Sequence, residues 1–150
     1  MTDDFDLPLS VVAPFRPQAP VLANLDAQAL ARSTKAGTQD ILLNAGPLAD
    51  ALADLSLEQM TPVLGSSANR SDSGSKFRVE DIEPQVCSAA DIIVDYGLSR
   101  YHNDVGTSST ILDLRDFSVL RWGVCFEQIR DILSRYFRIA LPPSPHSIAL

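Results

Sequence analysis

Two short polar clusters in this 150-residue chain carry side chains able to do chemistry. Ser66-Ser67-Ala68-Asn69 follows the apolar Val63-Leu64-Gly65. It offers two hydroxyls, an amide and a run of backbone N–H groups, a rim suited to a phosphate or carboxylate oxygen. Ala68 keeps that rim narrow, so a ligand can approach the backbone. Ser109-Thr110 stands before Ile111-Leu112 and again presents hydroxyls at the mouth of an apolar run. Arg121, just before Trp122-Gly123, adds the positive charge that hydroxyls lack, in a planar fork that matches an oxyanion. Each feature also has an ordinary structural meaning. A Ser- or Asn-stabilised turn is the common role of such a tetrapeptide, and an arginine can simply cap a sheet edge. His102, within His102-Asn103-Asp104, is a candidate general acid or base near neutral pH, weighed against an exposed loop histidine. His146 lies in a Pro-rich tail and takes no part in this reading.

Other chemistries lack their signatures. There is no Gly-x-Ser-x-Gly, no Gly-rich phosphate loop with Lys and no His/Glu spacing for a metal, so no metal site is expected. Cys87 and Cys125 stand 38 positions apart with no second pair, which fits two buried thiols in a reducing compartment. The net charge of −7 argues against sequence-independent nucleic-acid binding, which needs a basic face to displace counterions. Ten of the twelve basic residues are arginines, so a local oxyanion pocket stays open. The acidic start, Met1-Thr2-Asp3-Asp4, reads as neither a secretory signal nor a transit peptide, and no apolar run reaches the ~20 residues of a membrane span. A cytoplasmic protein is expected.

The elements that must position these residues follow from periodicity. Hydrophobic residues make up 45% and charged ones 21%, enough for one domain with its own core. Strands are expected at Leu7–Ala13, Asp40–Leu43, Val63–Gly65 and Ile92–Asp95. A hairpin is expected from Ser109–Leu114 and Phe117–Trp122 around Arg115-Asp116. Helices are expected at Ala27–Arg32, capped by Asn24 or Asp26, and at Pro47–Leu55, where Leu48, Leu52 and Leu55 share a face. Two more are expected at Val79–Cys87 and about Glu127–Tyr136. Gly37-Thr38 reads as a turn, and Pro142 to Leu150 as a flexible tail. The fold class is α/β, a mixed sheet with flanking helices, with a single domain over 1–141.

In this order the motifs resemble the YrdC family, the fold of threonylcarbamoyl-adenylate synthases of tRNA modification. Ser67-Ala68-Asn69 stands for its Ser-x-Asn loop. Asp91-Ile92-Ile93-Val94-Asp95-Tyr96-Gly97, Ser109-Thr110-Ile111-Leu112-Asp113 and Arg121-Trp122-Gly123 then follow in sequence, before the closing helix. The similarity covers roughly Pro47 to Leu133. It implies a concave domain that binds a nucleotide and a small carboxylate, with ATP as a possible cofactor. By the same resemblance Ser66, Ser67 and Asn69 line the phosphate and carbamoyl region, while Ser109, Thr110 and Arg121 hold phosphate or substrate oxygens. Their role is positioning and charge stabilisation rather than covalent catalysis.

The family's Lys-x-Arg pair and Arg-x-Pro have no counterpart here. Met1–Asp6 holds no basic residue, the lysines are Lys35 and Lys76, and Leu42-Leu43-Asn44 precedes Pro47 where the arginine would stand. Ser-Gly is displaced to Ser73-Gly74. A triphosphate brought into a partly dry site without those cations is costly. The expectation is therefore a YrdC-like domain without the family's first strand and helix, and without full synthase activity. A repurposed biosynthetic enzyme of cyclase or isomerase type, using the cleft without ATP, and a non-catalytic binding or regulatory module are the alternatives. A homodimer or a companion chain is expected to cover the sheet edge left open, with a small-molecule ligand as the other partner.

Overall fold

Leu9–Pro14 (β1) is the strand around which the sheet assembles, because its β-branched Val11 and Val12 suit a pleated, enclosed position. The computed structural model describes residues 6–71 and 73–145. After β1 come a short 3-10 turn at Pro20–Asn24 and a helix at Ala27–Ser33 (α1). Asp26 wins the capping position over Asn24. Its Oδ1 accepts from the N–H groups of Gln28 at 2.8 Å and Ala29 at 2.9 Å, satisfying two donors that the first turn leaves free. Asn24 instead donates through Nδ2 to the Met60 carbonyl at 2.6 Å.

Thr34–Lys35 (β2) and Thr38–Leu43 (β3) form a tight hairpin. Its turn residues are Ala36 and Gly37, both left-handed with φ of 50° and 77°, one position earlier than the expected Gly37-Thr38. Pro47–Glu58 (α2) has Pro47 in its first turn, as expected, and runs three residues further. Thr110–Asp113 (β4) and Ser118–Arg121 (β5) are the expected hairpin with shorter strands and an irregularity between Ile111 and Leu112. The connection is Leu114–Phe117 rather than a two-residue turn. Asp113 and Asp116 each accept a backbone N–H two residues on, and Phe117 takes a left-handed φ of 59°.

The sheet has five strands in the order β2-β3-β1-β4-β5. β1 runs antiparallel to β3 and parallel to β4, while β2–β3 and β4–β5 are antiparallel pairs. This is the mixed α/β arrangement expected from the sequence. Phe126–Phe137 (α4) closes it. Phe126 and Ile129 pack on Leu112 and Leu141, with Leu9, Val119, Trp122 and Leu133 partly buried around them. α4 is capped by Arg138, whose left-handed backbone lets Ile139 donate its N–H to the Leu133 carbonyl at 3.1 Å. Leu141 belongs to this core, so the chain is anchored up to the residue before Pro142. His146 and the rest of 146–150 lie outside the described residues.

The chain divides into two compact units. One is Met1–Leu64 with Ser109–Leu150, and the other is Gly65–Ser108. The sheet, α1, α2, α4 and the core lie in the first. The second is built mostly from turns. The expected helix over Val79–Cys87 is broken there into a 3-10 turn at Val79–Asp81 and a short helix at Pro84–Cys87 (α3). Pro84 has no N–H and pushes Glu83 into an extended conformation, so the helix cannot pass through it. The expected strands at Val63–Gly65 and Ile92–Asp95 are not strands. Ile92 is 81% exposed, and β-branched residues without a neighbouring strand have no ladder to join. Gly97 carries the turn that follows, with φ of 75° and its N–H bonded to Asp95 Oδ1 at 2.7 Å.

Candidate functional site

Ser109, Thr110 and Arg121 are brought together by the pairing of β4 with β5. Ser109 enters β4 and bridges to Val124, while Arg121 ends β5 opposite Ile111. The Arg121 guanidinium reaches back along the strand. Its Nε donates to the Ser109 carbonyl at 2.7 Å and its Nη2 to Ser109 Oγ at 3.1 Å. Ser109 Oγ also lies 3.3 Å from Ser10 Oγ, both residues being buried. Ser10 is the member that sequence reasoning missed. A single serine inside the apolar run Leu7-Pro8-Leu9-Ser10-Val11-Val12 was the available signal, since a polar residue enclosed in a strand needs a partner.

Thr110 is 0% exposed. Its hydroxyl donates to the Val124 carbonyl at 3.1 Å and accepts the Gly123 N–H at 3.2 Å. The hydroxyl is therefore committed to joining β4 to the loop between β5 and α4. That loop turns through Cys125, whose φ of 59° and ψ of 16° place it in the left-handed region just before α4.

Three other arginines of the same unit sit in ion pairs. Arg115 pairs with Asp113, Arg130 with Glu127 and Arg135 with Asp131. Among the described residues Arg121 has no carboxylate within ion-pair reach, and it is half-buried. Its neighbour Trp122 packs edge-on against Phe126, with ring centroids 6.4 Å apart. The Trp122 Nε1 is buried and finds no acceptor among the described residues. A half-buried guanidinium without a counter-ion keeps N–H groups that can meet an oxyanion.

Asp113 stands at the other end of β4, with its side chain 6% exposed. The Arg115 guanidinium donates to both carboxylate oxygens, at 2.9, 3.2 and 2.6 Å, and the Arg115 N–H adds a bond at 3.0 Å. These bonds, and the charge behind them, hold the Asp113 carboxyl at about 2 against the opposing effect of burial. A carboxyl depressed in the folded state stabilises it above the unfolded value and loses that contribution as pH falls. The window here runs from the ordinary 3.8 down to about 2. Substituting Arg115→Met removes the guanidinium bonds, so the acid-unfolding midpoint followed by circular dichroism is expected to move to higher pH. An unchanged midpoint would show that the pair contributes nothing to the acid limb.

Ser66, Ser67, Asn69 and His102 belong to the second unit. Ser66 and Ser67 are exposed and their hydroxyls make no bond among the described residues. Asn69 is half-buried and turns its Nδ2 onto the Arg70 carbonyl at 3.0 Å, a local turn contact. Beside it, Lys76 donates to the Ser73 carbonyl at 3.3 Å and pairs with Glu83 at 3.4 Å. The Glu83 carboxyl is held at about 2, by its own backbone N–H first, then Ser73 and Lys76. His102 is exposed, with Nδ1 2.9 Å from the Ser99 carbonyl. Asn103 fastens the same loop, accepting from Thr107 N and Oγ1 and donating to the Thr107 carbonyl. Cys87 and Cys125 are both half-buried and neither is in a disulfide. Among the described residues no cluster of His, Cys, Asp or Glu is arranged to hold a metal, and no helix is long and apolar enough to cross a membrane.

No family model matches the chain, and comparison with characterised proteins and with solved structures gave no significant match.

Proposed function

We propose that this chain is a YrdC-like binding module that takes a small phosphate- or carboxylate-bearing molecule at Arg121, in a reducing, cytoplasmic setting. The observation that carries the reading is the half-buried Arg121 guanidinium, oriented by Ser109 and lacking a carboxylate partner among the described residues. Two of its donors are occupied by Ser109, which fixes the plane of the fork and leaves the remaining N–H groups for an incoming oxyanion.

Binding without synthase chemistry is the better-supported form of this reading. One arginine does not balance the several charges of a triphosphate in a partly dry site. The Thr110 hydroxyl, which the family resemblance would place on ligand oxygens, is already satisfied by Val124 and Gly123. His102 is exposed and bonded within its own loop, which gives no support to a catalytic acid or base.

Calorimetry of the folded chain with inorganic phosphate, ATP and threonine in turn tests the proposal. Phosphate is expected to bind, and Arg121→Ala to weaken it about tenfold, the size of one charge-assisted contact. No heat with any of the three would sink the reading. Turnover of ATP in the presence of threonine and bicarbonate would instead restore the synthase assignment.

A further inference from the structure

β3 carries an open edge. On one side it pairs with β1 along its whole length, from Thr38 to Leu43. On the other, β2 reaches only Thr38 and Gln39. The turn fixes which backbone groups face outward. Lys35 and Thr38 close a two-residue loop and exchange both hydrogen bonds, so Thr38 faces β2. Pro14, opposite Thr38 on β1, has no N–H to offer, which agrees with that assignment. Alternation then turns the N–H and C=O of Gln39, Ile41 and Leu43 toward β1, and those of Asp40 and Leu42 outward. Among the described residues no backbone group bonds to Asp40 or Leu42 on that outer side.

The side chains along this edge are apolar, and they end rows that begin in the core. Leu112, Val11 and Ile41 are cross-strand neighbours on one face. The first two are buried, and Ile41 is 46% exposed. Leu43, beside Leu9 on the same face, is 41% exposed, and Leu42 on the other face is 53% exposed.

We propose that a second copy of this chain pairs with this edge, antiparallel, about a two-fold axis at Leu42. Outward-facing residues must meet outward-facing residues, which leaves Asp40, Ile41 and Leu42 as possible centres. Centring on Asp40 would oppose two carboxylates. Centring between them, on Ile41, would drive Leu43 of the second copy into the place held by Thr34 beside Gln39. Pairing at Leu42 meets neither obstacle. The Leu42 residues exchange two backbone hydrogen bonds, and Ile41 faces Leu43 of the second copy in the closely spaced pairs on either side. Asp40 then lies beyond the end of the second copy's strand, because the chain turns away at Asn44 with a left-handed φ of 54°. The apolar row from Leu112 through Val11 and Ile41 continues across the axis. The same patch serves both copies, so the assembly closes as a dimer. Three large side chains per copy make a small interface, below the roughly 1,200 Å² of a stable complex, so pairing is weak and depends on concentration.

Sedimentation equilibrium over micromolar to submillimolar concentrations tests this on the full chain. The average mass is expected to rise from 16.3 kDa toward twice that value. Leu42→Lys sets two ammonium groups on the axis and is expected to weaken association at least about tenfold. Register is tested by oxidising a mixture of chains carrying Ile41→Cys and chains carrying Leu43→Cys. The mixture is expected to give more covalent dimer than either variant alone, with the parent chain and its Cys87 and Cys125 as background. A monomer at every concentration, or no excess of cross-link in the mixture, would overturn the proposal. The cross-linking arm decides it even if Leu42→Lys fails to fold.

Discussion

Replacing Leu112 with alanine is expected to lower stability by about 3 kcal/mol, the middle of the range for deleting a fully enclosed leucine side chain. Among the described residues Leu112 is the largest apolar side chain that is completely enclosed, and Phe126, Ile129 and Leu141 meet on it. It joins β4, α4 and the segment after α4. The cavity left by the substitution would be walled by three separate pieces of chain, none of which can close it without moving the others. Urea unfolding followed by the fluorescence of Trp122 reports this core directly, because that ring packs on Phe126. Leu120→Ala in the same hairpin is the control. Leu120 is exposed and should change stability by less than about 0.5 kcal/mol. A loss below about 1 kcal/mol for Leu112→Ala would mean that sheet and α4 do not unfold as one unit.

Thr110→Val keeps the shape of the side chain and removes only the hydroxyl. The Val124 carbonyl and the Gly123 N–H would both be left without their partner in an enclosed place, at a cost of about 2 kcal/mol. This substitution also separates two roles for the same residue. A threonine that serves the fold loses stability when its hydroxyl goes, and its phosphate affinity changes little. A threonine that serves the ligand shows the reverse. The hydrogen bonds favour the first outcome, to be read from paired unfolding and calorimetry of the variant. If stability is unchanged and phosphate binding is lost, Thr110 belongs with Arg121 in the ligand site.

The elements legible in the sequence are those whose signal is local. Asp26 caps α1 because its carboxylate can reach two N–H groups within three residues, with no help from the rest of the chain. α4 follows from Phe126, Ile129 and Leu133 recurring on one face. The hairpin of β4 and β5 follows from two apolar runs around a polar turn. Ile92-Ile93-Val94 shows where local signals end. Its composition matches a strand, but a strand exists only where another strand supplies the ladder, and none pairs with it among the described residues. Pro84 was visible to the eye, and its steric effect on Glu83 outweighed the helical spacing around it.

Composition, periodicity and local spacing are enough to specify an α/β chain, its principal helices, the β4–β5 hairpin, and the placement of Ser109, Thr110 and Arg121 at its end. They work because each of these depends on neighbours a few residues away, or on two strands joined by one short turn. Pairing across long separations decided the rest. It set Ser10 against Ser109, satisfied the Thr110 hydroxyl within the fold, left Arg121 without a carboxylate among the described residues, and opened the outer edge of β3 beyond Gln39. A hydroxyl or a guanidinium has the same chemistry wherever it stands. Only its neighbours in space decide whether its hydrogen bonds are spent on the fold or kept for a ligand.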